Sequence, residues 1–306
     1  MKKIFILATA AIVALASCTK SEVVYNKGQQ EIGFRQFTGS MTKATNLSAL
    51  VGGPETMGVF AHMSGSSTQP YFLNAKFVKP ASSNDWGGDP KRYWPLQDKL
   101  DFTIYAPYVD RTTYDASTAA LTVPVADNTT AQQDFLYGVE RYTNKTKADS
   151  PLAVVLKHAL SLVSVKISSN TTGVFTVTKV EIIDPIQGGT IKVDYSSTTS
   201  VDVTPSSVTG DVTISSTETP LTGTATDFGS KLVFPISPIT NAAKLKITYN
   251  MESALGLVAE VNLPDSWQTG KHYTYNVTFS ATEILLTPTV EEWTTESTTP
   301  ITVPNA

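Results

Sequence analysis

Alternation with a period of two is the feature that most limits what this chain can fold into. Its clearest instance is the run HYTYNVTFS at 272–280. Tyr273, Tyr275, Val277 and Phe279 point one way, and Thr274, Asn276, Thr278 and Ser280 the other. That is the signature of a strand with one face on a core. Shorter apolar or alternating segments recur at 31–37, 57–62, 71–78, 100–108, 121–125, 175–183, 190–195, 231–236, 244–250, 257–263 and 284–293. In the segment 100–108, Phe102, Ile104 and Ala106 share a face, and near its end the run 152–167 does the same with Val163, Val165 and Ile167. Turn chemistry separates the segments, as in SSNDWGGDP at 82–90 and DPIQGG at 184–189. No long amphipathic helical pattern appears, and the reading is all-β, with two β-sandwiches. The polar stretch 142–151 has no apolar periodicity and marks the expected boundary, giving an N-terminal sandwich at 31–147 and a C-terminal one at 148–306.

The N-terminus reads as an export signal. Lys2 and Lys3 precede an apolar run at 4–15, too short for a spanning helix, which needs about 20 residues. The run ends Leu15-Ala16-Ser17-Cys18, which has the form of a lipobox: small residues for a signal peptidase, then a thiol to carry lipid. An ordinary cleaved signal with an incidental cysteine is the alternative. Residues 1–17 are then the signal peptide and 18–30 a polar tether. More than one acyl chain gives stable anchoring where one is marginal. Cys18 is the chain's single cysteine, so intrachain disulfides and cysteine-ligated zinc are excluded as staples. Loss of Lys2 and Lys3 leaves 21 basic against 27 acidic residues, a net charge of about −6. That argues against nucleic acid as a partner. Charged residues make up 16%, below the usual ~25%, and Thr and Ser take their place as on exposed sheet faces.

Candidate chemistry is sparse. His62, His158 and His272 are far apart, and no zinc-binding spacing, phosphate loop, dinucleotide fingerprint or nucleophile elbow occurs. The expectation is no catalytic residue, no metal and no cofactor. His158 lies in an apolar run, where a hydrogen-bonded structural role is the simpler reading. Trp86-Gly87-Gly88-Asp89 is either a plain turn or a sugar-binding or calcium-binding tip. Glu291 and Glu292 are adjacent on an expected strand and point to opposite faces, so they form no facing carboxylate pair. After the first strand comes a polar loop with one base before a small residue, Lys43-Ala44. It is either a solvated lysine or a protease site.

An ordered set of motifs resembles the fimbrillin superfamily, the subunits of type V pili. These are the lipobox at Cys18; the first strand and Thr42-Lys43-Ala44; KRYWP at 91–95; LDFTIYAPY at 100–108; QDFLY at 133–137; LKHAL at 156–160; WQTGKHYTY at 267–275; and VEEW at 290–293. The resemblance implies two tandem transthyretin-like, Greek-key β-sandwich domains on a palmitate-bearing outer-membrane lipoprotein. It implies that a trypsin-like protease, often arginine-specific, removes the first strand at Lys43, with Arg35 the alternative, and that a strand from another subunit fills the groove. The donor segment would be the tail, with Ile284, Leu286, Val290, Trp293, Ile301 and Val303 as inserting residues. Partners so implied are other fimbrillin subunits, the outer membrane through lipid, the protease, and a host or bacterial surface ligand. A tip adhesin binding a glycan, or an anchor subunit that keeps its first strand, are the alternative roles.

Overall fold

The computed structural model describes residues 29–36, 55–66, 69–80, 83, 85–96, 99–125, 132–171, 173–207, 209–235, 243–263, 266–280, 284–293 and 295–300. Among these the chain is all-β, with a single turn of 3₁₀ helix at Lys147–Asp149.

The largest sheet contains β1 (Gly33–Gln36), β2 (Thr56–Met63), β3 (Pro70–Val78), β4 (Asp85–Gly88), β5 (Leu100–Ala106), β8 (Leu136–Gly138), β9 (Tyr142–Lys145), β10 (Leu152–Val154) and β11 (Leu156–His158). Their spatial order is β10-β1-β4-β3-β2-β5-β8-β11, with β9 on β5. A second sheet joins β6 (Thr113–Asp115), β7 (Ala120–Val125), β14 (Gly189–Asp194) and β15 (Ser200–Pro205) in the order β15-β14-β7-β6. A third runs β18-β12-β21-β22-β23, from β12 (Ser161–Ser169), β18 (Thr226–Val233), β21 (Lys271–Phe279), β22 (Ile284–Glu292) and β23 (Thr295–Pro300). The fourth runs β16-β13-β19-β20 with β17 on β13, from β13 (Phe175–Ile183), β16 (Val212–Ser215), β17 (Thr219–Pro220), β19 (Lys244–Met251) and β20 (Ala254–Asn262).

The third and fourth sheets pack face to face. Val163, Val165 and Ile167 of β12 and Tyr273, Tyr275, Val277 and Phe279 of β21 meet Val177, Val180 and Ile182 of β13 and Leu245 and Ile247 of β19. The buried Trp267 indole donates to the Tyr275 hydroxyl at 2.9 Å, which satisfies both polar tips inside this core. The first sheet wraps a core of its own from Ile32, Phe34, Met57, Phe77, Trp86, Phe102, Ile104, Leu152 and Val154. A third core joins the halves: Phe60, Tyr105, Phe135 and Tyr137 meet Ile191, Val193, Leu232 and Phe234.

Two features follow from that third core. β10 and β11, past the 147/148 division, pair with β1 and β8 in the first sheet, while β7, ahead of it, pairs with β14. β5 is buried on both faces, whereas alternation reads it as half-buried. Phe102, Ile104 and Ala106 face one core and Tyr105 the other. Its carboxylate at Asp101 accepts from Ser64 Oγ at 2.5 Å, Arg141 Nη2 at 3.0 Å and the Asn144 amide at 2.8 Å. Such full pairing is what lets a carboxylate sit inside.

Candidate functional site

β1 lies inside its sheet, between a parallel neighbour, β10, and an antiparallel one, β4. Phe34 stands opposite Leu152 on one side and Trp86 on the other. Its fully buried ring makes edge-to-face contacts with Phe77, centroids 5.0 Å apart, and with Phe102 at 5.3 Å. Ile32 is buried beside it. Burying these two side chains contributes a gross gain of about 3–6 kcal/mol. Alternation places both on the core face, and Gly33 and Arg35 on the other.

The backbone of this segment is held along its length. The Ile32 amide donates to Arg92 O at 2.8 Å, and the Trp94 amide to Gln30 O at 2.9 Å. The Gly33 amide donates to Ser150 Oγ at 3.1 Å, and that hydroxyl donates to Glu31 O at 3.1 Å. Ion pairs close both ends: Glu31 with Lys91, and Arg35 with Asp85. The Arg35 fork is bidentate, Nε to Oδ1 at 2.6 Å and Nη2 to Oδ2 at 2.8 Å. The guanidinium holds the Asp85 carboxyl below its ordinary range, chiefly through these hydrogen bonds.

Among the described strands, β10 forms its ladder with β1 alone. Withdrawing β1 therefore opens two edges at once, on β4 and on β10, and empties the pocket beside Phe77 and Phe102. Unpaired edges of this kind are templates for another strand.

The other candidates fall as follows. Arg35 is on β1, its side chain exposed and paired with Asp85. Cys18, Lys43, Ile301 and Val303 lie outside the described residues. Ile284, Leu286 and Val290 lie on β22, in register with β21 along nine residue pairs, and pack against the C-terminal core. In this conformation these three fill the chain's own sandwich, so donating them elsewhere requires β22 to leave β21. Trp293 follows β22 and stacks on His158 with ring centroids 3.7 Å apart and 12° between planes. His158 Nδ1 lies 2.6 Å from Asp134 Oδ2, a hydrogen-bonded structural histidine.

Trp86 is buried in β4 with Lys79 over its ring, so it offers no exposed stacking face for a sugar. Glu291 and Glu292 do face opposite ways: the first meets His272 and the second Lys271. His272 belongs to a rung across four strands. Ser230 Oγ lies 2.5 Å from Ser164 Oγ, Ser164 Oγ 2.7 Å from His272 Nε2, and His272 Nδ1 3.1 Å from Glu291 Oε1. In outline this is a serine–imidazole–carboxylate relay. Its serine is buried in mid-strand and already engaged by a second hydroxyl, and the series ties β18, β12, β21 and β22 together. Among the described residues no three His, Cys, Asp or Glu side chains group as a metal site requires.

Sequence reasoning missed Asp85, Ser150 and β10, the partners that enclose β1. The alternation of Leu152, Ala153 and Val154, buried-exposed-buried, was the available signal. It lay hidden in a longer apolar run.

The fimbrillin-like family model matches residues 42–293, most of the chain. Among solved structures, a fimbrial protein from Bacteroides vulgatus superposes with a TM-score of 0.60 at 18% identity, covering 86% of this chain and 99% of the other. A cell-adhesion candidate from Bacteroides uniformis gives 0.58 at 17% identity, covering 86% and 98%. One from Parabacteroides distasonis gives 0.52 at 9%, covering 86% and 96%. No curated protein matches.

Proposed function

The chain belongs to the fimbrillin-like family, structural proteins of the cell-surface fimbrium rather than enzymes, and on that premise we propose that it is a pilus subunit assembled by strand exchange. Cys18 carries the lipid that holds the exported precursor in the outer membrane. A trypsin-like protease cuts after Lys43 and separates the lipid-bearing residues 18–43 from the rest. A strand from another fimbrillin subunit then takes the place of β1, and the tail of this chain serves a neighbour in turn. In this reading the signal is 1–17, the tether 18–30, and the two sandwiches, 31–147 and 148–306 by sequence, have the transthyretin-like Greek-key order and share strands across the division, β10 and β11 joining the first sheet and β7 pairing with β14.

The observation that carries the proposal is the seat of β1. It is short and the first strand among the described residues, so one cut beyond it would detach it, yet it completes two ladders and fills a core pocket. The family match begins at Thr42, so β1 lies outside the matched portion. Replacing β1 restores main-chain hydrogen bonds and buried side chains, less the ordering and association costs. The contact is head-to-tail and does not close, so it propagates a filament.

The full chain, expressed with its leader in a diderm host, tests this with two variants. Cys18→Ser is expected to lose lipid labelling and membrane retention. Lys43→Gln is expected to keep β1 and remain monomeric. Polymer formation by Lys43→Gln with β1 still attached would overturn the proposal.

A further inference from the structure

We infer that the seat of β1 selects a strand from a different subunit, one with an aliphatic–x–aromatic–basic pattern, and discriminates against the tail of a second copy of this chain. The inference rests on the strand-exchange reading above and names the chemistry of the partner.

Four positions of β1 define the seat. At Ile32 an aliphatic side chain is buried. At Gly33 an added Cβ would meet Pro151 Cβ and Trp86 O at 3.6 Å, ordinary contact, so side chains other than hydrogen fit there. At Phe34 a six-membered ring fills the space between Phe77 and Phe102 with none of its surface exposed. At Arg35 the bidentate partner is Asp85, directly opposite in the ladder. With β1 gone, Asp85 remains at the rim, and a planar fork on the incoming strand matches its geometry better than a point charge does. The opposite end carries Lys91, the partner of Glu31, so acid-first and base-last also sets the direction in which a strand enters.

The chain's own tail fits this seat poorly. Residues 284–306 contain no lysine or arginine and three glutamates, Glu291, Glu292 and Glu296, which oppose Asp85 rather than pair with it. Beyond Trp293 the segment has no aromatic residue. Its apolar pairs at the right spacing, Ile284 with Leu286 and Ile301 with Val303, would put leucine or valine in the phenylalanine pocket and Thr287 or Pro304 where Arg35 stands. A filament of this chain alone would repeat that mismatch at every joint, so this subunit accepts its donor from a chemically different neighbour.

The test uses full-length protein nicked after Lys43 with the β1 fragment still seated, and a fluorescent peptide of sequence 29–37. Unlabelled peptides 29–37, 29–37 with Arg35→Gln, 294–306 and 284–306 compete for the seat. Both tail peptides are expected to compete at least about 100-fold more weakly than 29–37, the size of an unfilled aromatic pocket. Arg35→Gln in the peptide is expected to weaken competition about two- to five-fold, as for an exposed ion pair, and to make no difference on Asp85→Asn protein. A tail peptide competing within about ten-fold of 29–37 would overturn the inference while leaving strand exchange intact. If even the labelled 29–37 peptide fails to exchange, the strand-exchange reading itself falls.

Discussion

Replacing Phe34 by alanine is the perturbation that most sharply probes how β1 is held. Phe34 is wholly buried, and its ring is edge-on to both Phe77 and Phe102. Truncating a buried phenylalanine costs about 3–5 kcal/mol, of which each aromatic pair accounts for about 0.5–1.5 kcal/mol. Domain stabilities are only about 5–15 kcal/mol, so the change removes a large share. With a urea slope of about 1–3 kcal/mol/M, the unfolding midpoint should fall by about 1–5 M. The assay is urea unfolding of the uncut ectodomain, followed by circular dichroism, with amide exchange read at β1 and β10. Because β10 takes its ladder from β1, amides of 152–154 should exchange faster together with those of 33–36. Arg35→Ala is the matched control: it removes an exposed ion pair and should cost less than about 1 kcal/mol. A midpoint for Phe34→Ala within about 0.3 M of the parent, or unchanged exchange at β10, would refute the reasoning.

Other sites give independent checks. At Gly58 an added Cβ would lie 2.1 Å from the Tyr105 ring, itself fixed by hydroxyl bonds to Asn74 Oδ1 and Val109 O; Gly58→Ala should destabilise by about 1–3 kcal/mol in the same unfolding assay. Burial lowers the His272 pKa below its ordinary value of 6.5, with Glu291 pulling the other way. The folded state thus binds this proton less readily than the unfolded chain, so His272 subtracts stability as pH falls from 6.5 through its folded value. Urea midpoints measured down from neutral pH should drop less steeply in His272→Gln than in the parent. Trp293 stacks on His158, and Trp293→Ala should cost about 1–3 kcal/mol and speed amide exchange at 156–158.

The legibility of the fold in the sequence varied with how each strand is covered. β21 declares itself because one face meets the core and the other does not: its burial alternates along seven residues from Tyr273 to Phe279. β5 concealed its second buried face, because Asp101 and Thr103 read as solvent-facing until Arg141, Ser64 and Asn144 are brought to the carboxylate from distant positions. The crossed pairing of β7 with β14 was out of reach for the same reason: ladder partners about seventy residues apart leave no local pattern. At the candidate site, alternation exposed Ile32 and Phe34 as core residues. Nothing local to β1 pointed to Asp85 or Ser150: the stretch 82–90 reads as turn chemistry, where an aspartate has many uses, whereas Asp85 opens strand β4. The tail shows the converse. Its apolar residues at 284, 286 and 290 looked available for a neighbour, yet they are paired in the chain's own sheet, and alternation cannot tell which sheet a strand joins.

The central claim is that removing β1 turns a monomer into a polymerising subunit. The most direct measurement treats delipidated ectodomain, residues 19–306, with a trypsin-like protease and reads the new N-terminus and the oligomer distribution from one sample, with and without added partner subunit. One cut after Lys43 is expected, with Ala44 as the new N-terminus, followed by higher oligomers when β1 is displaced in the presence of the partner subunit. A chain that is cut at Lys43, loses β1 and stays folded and monomeric with every subunit offered would contradict it.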